Sequence, residues 1–262
     1  MDENKQNTVW LGLDVSTNCI GVCIFIDDGT ERGQIVKLTQ VTPKVSKKIT
    51  GIQSLFEKKR IFRDTLLTEL SNYRIDRVVI EEPLLLSNNA NTVATLLRFN
   101  GMIADCIYEM FDIVPDFISS YDARYYSFPE LLSVRTRSKS GELYPAKKVI
   151  SEVKHGEITL FGAYPFDVDK KEIMMNCVNE SYGDIDWKID KKGEIKKENY
   201  DACDSLIAVL GHRNKEKWNA AKATIDGFEY DIVAGYVNYG VKIGDRHIEK
   251  HLQLPTGPAY QG

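Results

Sequence analysis

Paired cysteine motifs, long apolar runs and an excess of basic charge are all missing from this chain. Its five cysteines, Cys19, Cys23, Cys106, Cys177 and Cys203, lie scattered in mostly apolar segments with no CxxC pair. That argues against a zinc ribbon or a dithiol redox centre and for reduced, buried thiols. Histidine is sparse too. His247 and His251 stand four apart, a spacing at which a helix could offer both to one metal ion, although a loose histidine pair in a tail is far commoner. No apolar run approaches the roughly 20 residues of a membrane span. The opening MDENKQNT is acidic and polar where a secretory leader is basic and then apolar. These absences predict a cytoplasmic protein. The net charge of −4 and pI near 5.7 remove the global basic footprint of many nucleic-acid binders.

What is present is a chain of 262 residues, 43% hydrophobic and 27% charged, the profile of one large globular domain or of a domain with an insertion. Its organising stretch is LGLDVSTNCIGVCIFIDDG, residues 11–29. Apolar residues flank Asp14 on both sides, small polar residues turn the chain, and Val22, Ile24, Phe25 and Ile26 bring it back, so the stretch predicts a buried β-hairpin. A carboxylate in such a place must be paired, protonated or bound to a cation.

Periodicity predicts strands over 9–15, 20–26 and 34–41, then an amphipathic helix over 52–71. DRVVIEEP, residues 76–83, reads as a central strand, and a broadly apolar helix follows over about 92–110. A strand is predicted over 111–121, ending at Ser119-Ser120. Residues 128–169 lose periodicity and gain prolines, which predicts an insertion. Helices are predicted over 170–182 and 199–212, the second closed by Gly211, and the segment 213–262 is a C-terminal extension without a readable structure.

Carboxylates close three of these elements: Asp14, Glu81 with Glu82, and Asp201 with Asp204. Residues three apart share a helix face, whereas strand alternation sends Glu81 and Glu82 to opposite sides of the sheet. Glu81, where the apolar run ends, is the one expected to join Asp14. Four hard oxygen ligands from separate elements suit two Mg²⁺ ions, with Mn²⁺ able to substitute, and such a pair hydrolyses phosphodiesters. Two basic groups, around Lys44 to Arg63 and Arg135 to Lys154, offer phosphate contacts; Lys47, Lys48, Arg135, Arg137, Lys139, Lys147 and Lys148 are the DNA-binding candidates.

GLDVSTNCIGVCIF, VVIEEP and YDACDSLIAV resemble, in order, the three acidic motifs of RuvC-type Holliday-junction resolvases of the ribonuclease H-like superfamily, phage-encoded members included. The resemblance spans roughly residues 8–125 and 168–212. It implies an α/β fold with a five-stranded mixed sheet, an antiparallel hairpin first and parallel strands after, flanked by helices. It also implies catalytic, metal-binding roles for Asp14, Glu81, Asp201 and Asp204, and a homodimer formed through the helix at about 92–110. The expected activity is Mg²⁺-dependent nicking of branched DNA in the cytoplasm, that of the host if the chain is phage-encoded. The nuclease domain would span 8–212. Two alternatives stay open: a nuclease-like fold kept as an inactive DNA-binding or assembly module, and an actin-like or sugar-kinase-type ATPase. The second shares the opening strand, turn and strand but expects glycine where Ser16-Thr17-Asn18 stands.

Overall fold

The computed structural model of the chain describes residues 7–30, 32–83, 89–128, 170–183, 185–223, 229–233, 236–243 and 246–253. Strands β1 (Thr8–Val15) and β2 (Ile20–Asp27) form the expected hairpin, and β3 (Gln34–Val41) follows. Helix α1 (Gly51–Glu69), β4 (Arg77–Glu81), α2 (Ala90–Phe111), β5 (Asp116–Ile118) and α3 (Ser120–Ser127) come next, then α4 (Lys170–Tyr182) and α5 (Glu198–Ala223). In the sheet the order is β3-β2-β1-β4-β5. β1, β2 and β3 pair antiparallel, while β4 and β5 run parallel to β1. This is the five-stranded mixed sheet of the ribonuclease H-like fold. A second, antiparallel sheet is formed by β6 (Glu229–Val233), β7 (Tyr236–Ile243) and β8 (Arg246–Gln253).

Strand alternation sorts the core into two layers. Leu11, Leu13, Val15, Ile20, Val22, Ile24, Val78 and Ile80 face α1 and α2, where they meet Leu55, Phe62, Leu66, Phe99, Ile103 and Ile107. Trp10, Cys23, Phe25, Val79 and Ile118 face the other way, onto Met174, Met175 and Val178 of α4 and Cys203, Leu206, Ile207 and Val209 of α5. A sheet covered on both faces explains why β1, β2 and β4 read as near-continuous apolar runs.

Two expectations are corrected. β5 is only three residues long, because Ser119 caps α3 directly after it, its hydroxyl accepting from the Asp122 N–H at 3.1 Å. α5 does not close at Gly211 but runs on to Ala223. The backbone of Ala123 in α3 lies where a Gly211 side chain would be, so this glycine serves close helix packing and not a helix stop. His247 and His251 stand on β8, which removes the helical spacing on which their metal reading depended. The predicted insertion, apart from buried Phe128, falls outside the described residues. Among the described residues no helix is long and apolar enough to cross a membrane.

Candidate functional site

β1 and β4 run parallel with Leu13 opposite Ile80, both in the α1/α2 layer. The next residues along the two strands, Asp14 and Glu81, therefore turn together toward α5. Glu82 is exposed. The choice of Glu81 over Glu82 thus follows from register as well as from the end of the apolar run.

α5 is brought to these carboxylates by glycine. Gly12 precedes Asp14 by two residues on the same strand face, and Gly21 is the cross-strand partner of Asp14. A Cβ on Gly12 would collide with the Ser205 carbonyl and the Val209 side chain, and one on Gly21 with the Asp201 carbonyl. The helix backbone rests on the strands at these two points. Asp201 and Asp204, on the same helix face, are thereby brought to the side of the sheet toward which Asp14 and Glu81 turn.

The electrostatics record the crowding. Asp14 is pushed up to about 7 from its ordinary 3.8, first by burial and then by Asp204 and Asp201. Glu81 is pushed well up, again first by burial and then by Asp14 and Asp204. Asp201 is raised mainly by burial, against a hydrogen bond from Cys19, whose own thiol is pushed up to about 12. Two side-chain cations temper the cluster. Lys171 Nζ lies 3.3 Å from Asp204 Oδ2, and Arg124 Nη2 lies 3.7 Å from Asp204 Oδ1. Lys171 also stands over the Tyr200 ring, 5.5 Å from its centroid.

Buried carboxylates that raise one another's proton affinity form a site that favours a cation. The donor set is all carboxylate oxygen, which fits Mg²⁺ or Mn²⁺ better than zinc. In the present side-chain arrangement no group of three or more His, Cys, Asp or Glu among the described residues is close enough to ligate one ion.

The structure thus brings Asp14, Glu81, Asp201 and Asp204 into one electrostatic cluster. Lys47 and Lys48 are exposed on the connector before α1, which covers the opposite face of the sheet from α5. Arg135, Arg137, Lys139, Lys147 and Lys148 lie outside the described residues. Sequence reasoning missed Lys171 and Arg124 as partners of the acids. Neither carries a sequence signal, since what places them is the packing of α3 and α4 against α5. Gly12 and Gly21 did carry one: a glycine on the same face as a buried acid marks close backbone approach.

No family profile and no curated protein matches the chain. Among solved structures it is similar to Thermus thermophilus RuvC in complex with a Holliday junction substrate, at 13% identity over 80% of this chain and 96% of that one, with a TM-score of 0.49. Thermus thermophilus RuvC determined separately gives 14% identity, 80% and 97% coverage and a TM-score of 0.46. An Aquifex aeolicus member of the Ppx/GppA protein family gives 11% identity, 47% and 38% coverage and a TM-score of 0.29. These scores are too low to carry an argument, and the fold stands on strand order and direction in the sheet itself.

Proposed function

We propose that the chain is a metal-dependent endonuclease that cuts branched DNA such as Holliday junctions. The observation that supports this reading is the convergence of four carboxylates, from β1, β4 and α5, at the carboxyl end of β1, where burial and mutual repulsion raise proton affinity at Asp14 and Glu81. Asp14, Glu81, Asp201 and Asp204 would hold Mg²⁺ or Mn²⁺. Bound there, two such ions would activate a water and stabilise the leaving oxygen of phosphodiester hydrolysis. The protein's own part is to fix the four carboxylates on rigid elements, with the Gly12 and Gly21 contacts setting the position of α5. Lys171 and Arg124 each lie beside one oxygen of Asp204 and offset part of the cluster's negative charge.

The solved RuvC complex contains a Holliday junction, and branched DNA is carried over from it to this chain as part of the proposal. The proposal also includes, from the sequence, a homodimer through α2, a nuclease domain over 8–212, phosphate contacts from Lys47, Lys48 and the basic stretch 135–148, and a cytoplasmic setting. One observation favours a second reading, a non-catalytic DNA-binding module: Lys171 and Arg124 already supply positive charge at Asp204.

One assay separates the two. Purified protein is incubated with end-labelled four-way, forked and linear duplex DNA, in Mg²⁺ and in chelator. The nuclease reading expects cuts in the branched substrates that vanish with chelation. Binding to all three without a cut in Mg²⁺ or Mn²⁺ would overturn it in favour of the module.

A further inference from the structure

At the same end of β1, on the α1/α2 side of the sheet, the turn after Val15, the start of α1 and the second and third turns of α2 border an open cavity of about 320 Å³. Thr17, Thr50, Ser54 and Thr95 line it together with Lys58 and Arg98, and none of its lining residues is acidic.

The charges around it are distributed unevenly. Along α1, Lys59 pairs with Asp105 at 2.8 Å and Glu109 at 3.2 Å, Arg60 with Glu57 at 2.9 Å, and Arg63 with Asp64 at 3.0 Å. Lys58 and Arg98 pair with no carboxylate among the described residues. Lys58 instead donates to the Thr17 carbonyl at 2.6 Å, which draws its ammonium to the rim of the cavity. The surface cations of this helix are neutralised by neighbours except where they meet the cavity. α1 adds to the effect: its N-cap, Thr50, makes no side-chain capping bond, and its first turn carries no acid. The cavity and its two cations define the site, and the helix end only reinforces it.

We propose that this cavity seats a backbone phosphate of the DNA, on a strand that continues past the Asp14 cluster; the proposal rests on the nuclease reading. Thr17 follows Asp14 by three residues, so at most about 10 Å of chain separates them. That distance corresponds to about three base steps at 3.4 Å each. Exposed Lys47 and Lys48 lie on the connector that leads into the cavity, and Ile52 and Phe56, 55% and 59% exposed, flank it on α1 as apolar surface for a sugar or base. An open, polar site with an apolar margin, and with two cations left without a carboxylate partner among the described residues, suits a phosphodiester strand better than a free anion.

The test measures binding of a labelled four-way junction in Ca²⁺ by fluorescence anisotropy at several salt concentrations. It compares the unmodified chain, Lys58→Gln with Arg98→Gln, and the control pair Arg60→Gln with Arg63→Gln, which removes equal charge from paired positions outside the cavity. The cavity pair is expected to weaken binding about tenfold and to lower the salt slope by about two, the control pair by far less. Lys58→Arg should restore affinity, and the exposed Arg98→Gln alone keeps the test available if the pair folds poorly. Equal losses in both pairs, or none in the cavity pair, overturn the proposal while the nuclease reading survives. An unmodified chain that binds no DNA overturns both. Calorimetry with inorganic phosphate is the third arm: micromolar binding abolished by the cavity pair would make this a free-phosphate site and overturn the DNA assignment.

Discussion

The carbonyl of Asp201 occupies the space that a side chain on Gly21 would need, and Gly21 is the strand partner of Asp14. A helix that carries two acids is thus seated on the strand pair that carries the third. Gly21→Ala must push α5 away or strain the hairpin. We expect a loss of about 2–3 kcal/mol, read as a lower Tm in thermal unfolding, with Gly12→Ala behaving alike. Gly101→Ala on α2 meets nothing within contact distance and should leave the Tm unchanged or raised.

Asp14, Glu81 and Asp201 all bind protons more tightly in the folded chain than their ordinary values, chiefly through burial. For Asp14 the stability this adds is complete below pH 3.8 and is lost as pH rises through about 7. The ion-free protein should therefore melt several degrees lower at pH 8 than at pH 5. Mg²⁺ should raise the Tm more at the higher pH, and Asp14→Asn should flatten both trends. Calorimetric scans across this range, with and without the ion, check the sign.

Arg77 anchors the opposite end of the sheet. Its guanidinium meets Glu216 at 2.6 Å and Asp116 at 3.0 Å and stacks over Trp10 at 4.3 Å from the ring centroid. Lysine cannot reproduce that fork, so Arg77→Lys should cost about 1–2 kcal/mol in urea unfolding, a figure held down by partial exposure.

On α2, Leu97, Gly101 and Tyr108 fall on one exposed face, with Leu97 44% and Tyr108 50% accessible. If this face joins two copies, sedimentation should give twice the chain mass, and Leu97→Glu should return the monomer without lowering helix content. A monomer from the unmodified chain at micromolar concentration would remove the dimer from the account.

The sheet was legible because strands buried on both faces announce themselves as apolar runs of the right length, and because Asp14 and Glu81 stand where those runs end. The acids of α5 were legible from their spacing of three. The end of α5 was not: Gly211 looks like a stop in sequence and is a packing site in space. Nor were Lys171 and Arg124, since their approach to Asp204 depends on how α3 and α4 pack against α5. The short β5 followed by α3 was hidden because Ile113, Val114, Phe117 and Ile118 read together as one strand, although Phe111 still belongs to α2 and Ser119 already caps α3.

The central claim is that the four carboxylates act as one metal-dependent cutting site. Its most direct test is single-turnover cleavage of a labelled four-way junction in Mg²⁺ by the unmodified chain and by Asp14→Asn, Glu81→Gln, Asp201→Asn and Asp204→Asn, each shown to be folded. The account predicts a fall of about a hundredfold or more in every variant. A folded variant that cuts within about twofold of the unmodified rate, or cutting that persists in chelator, would contradict it.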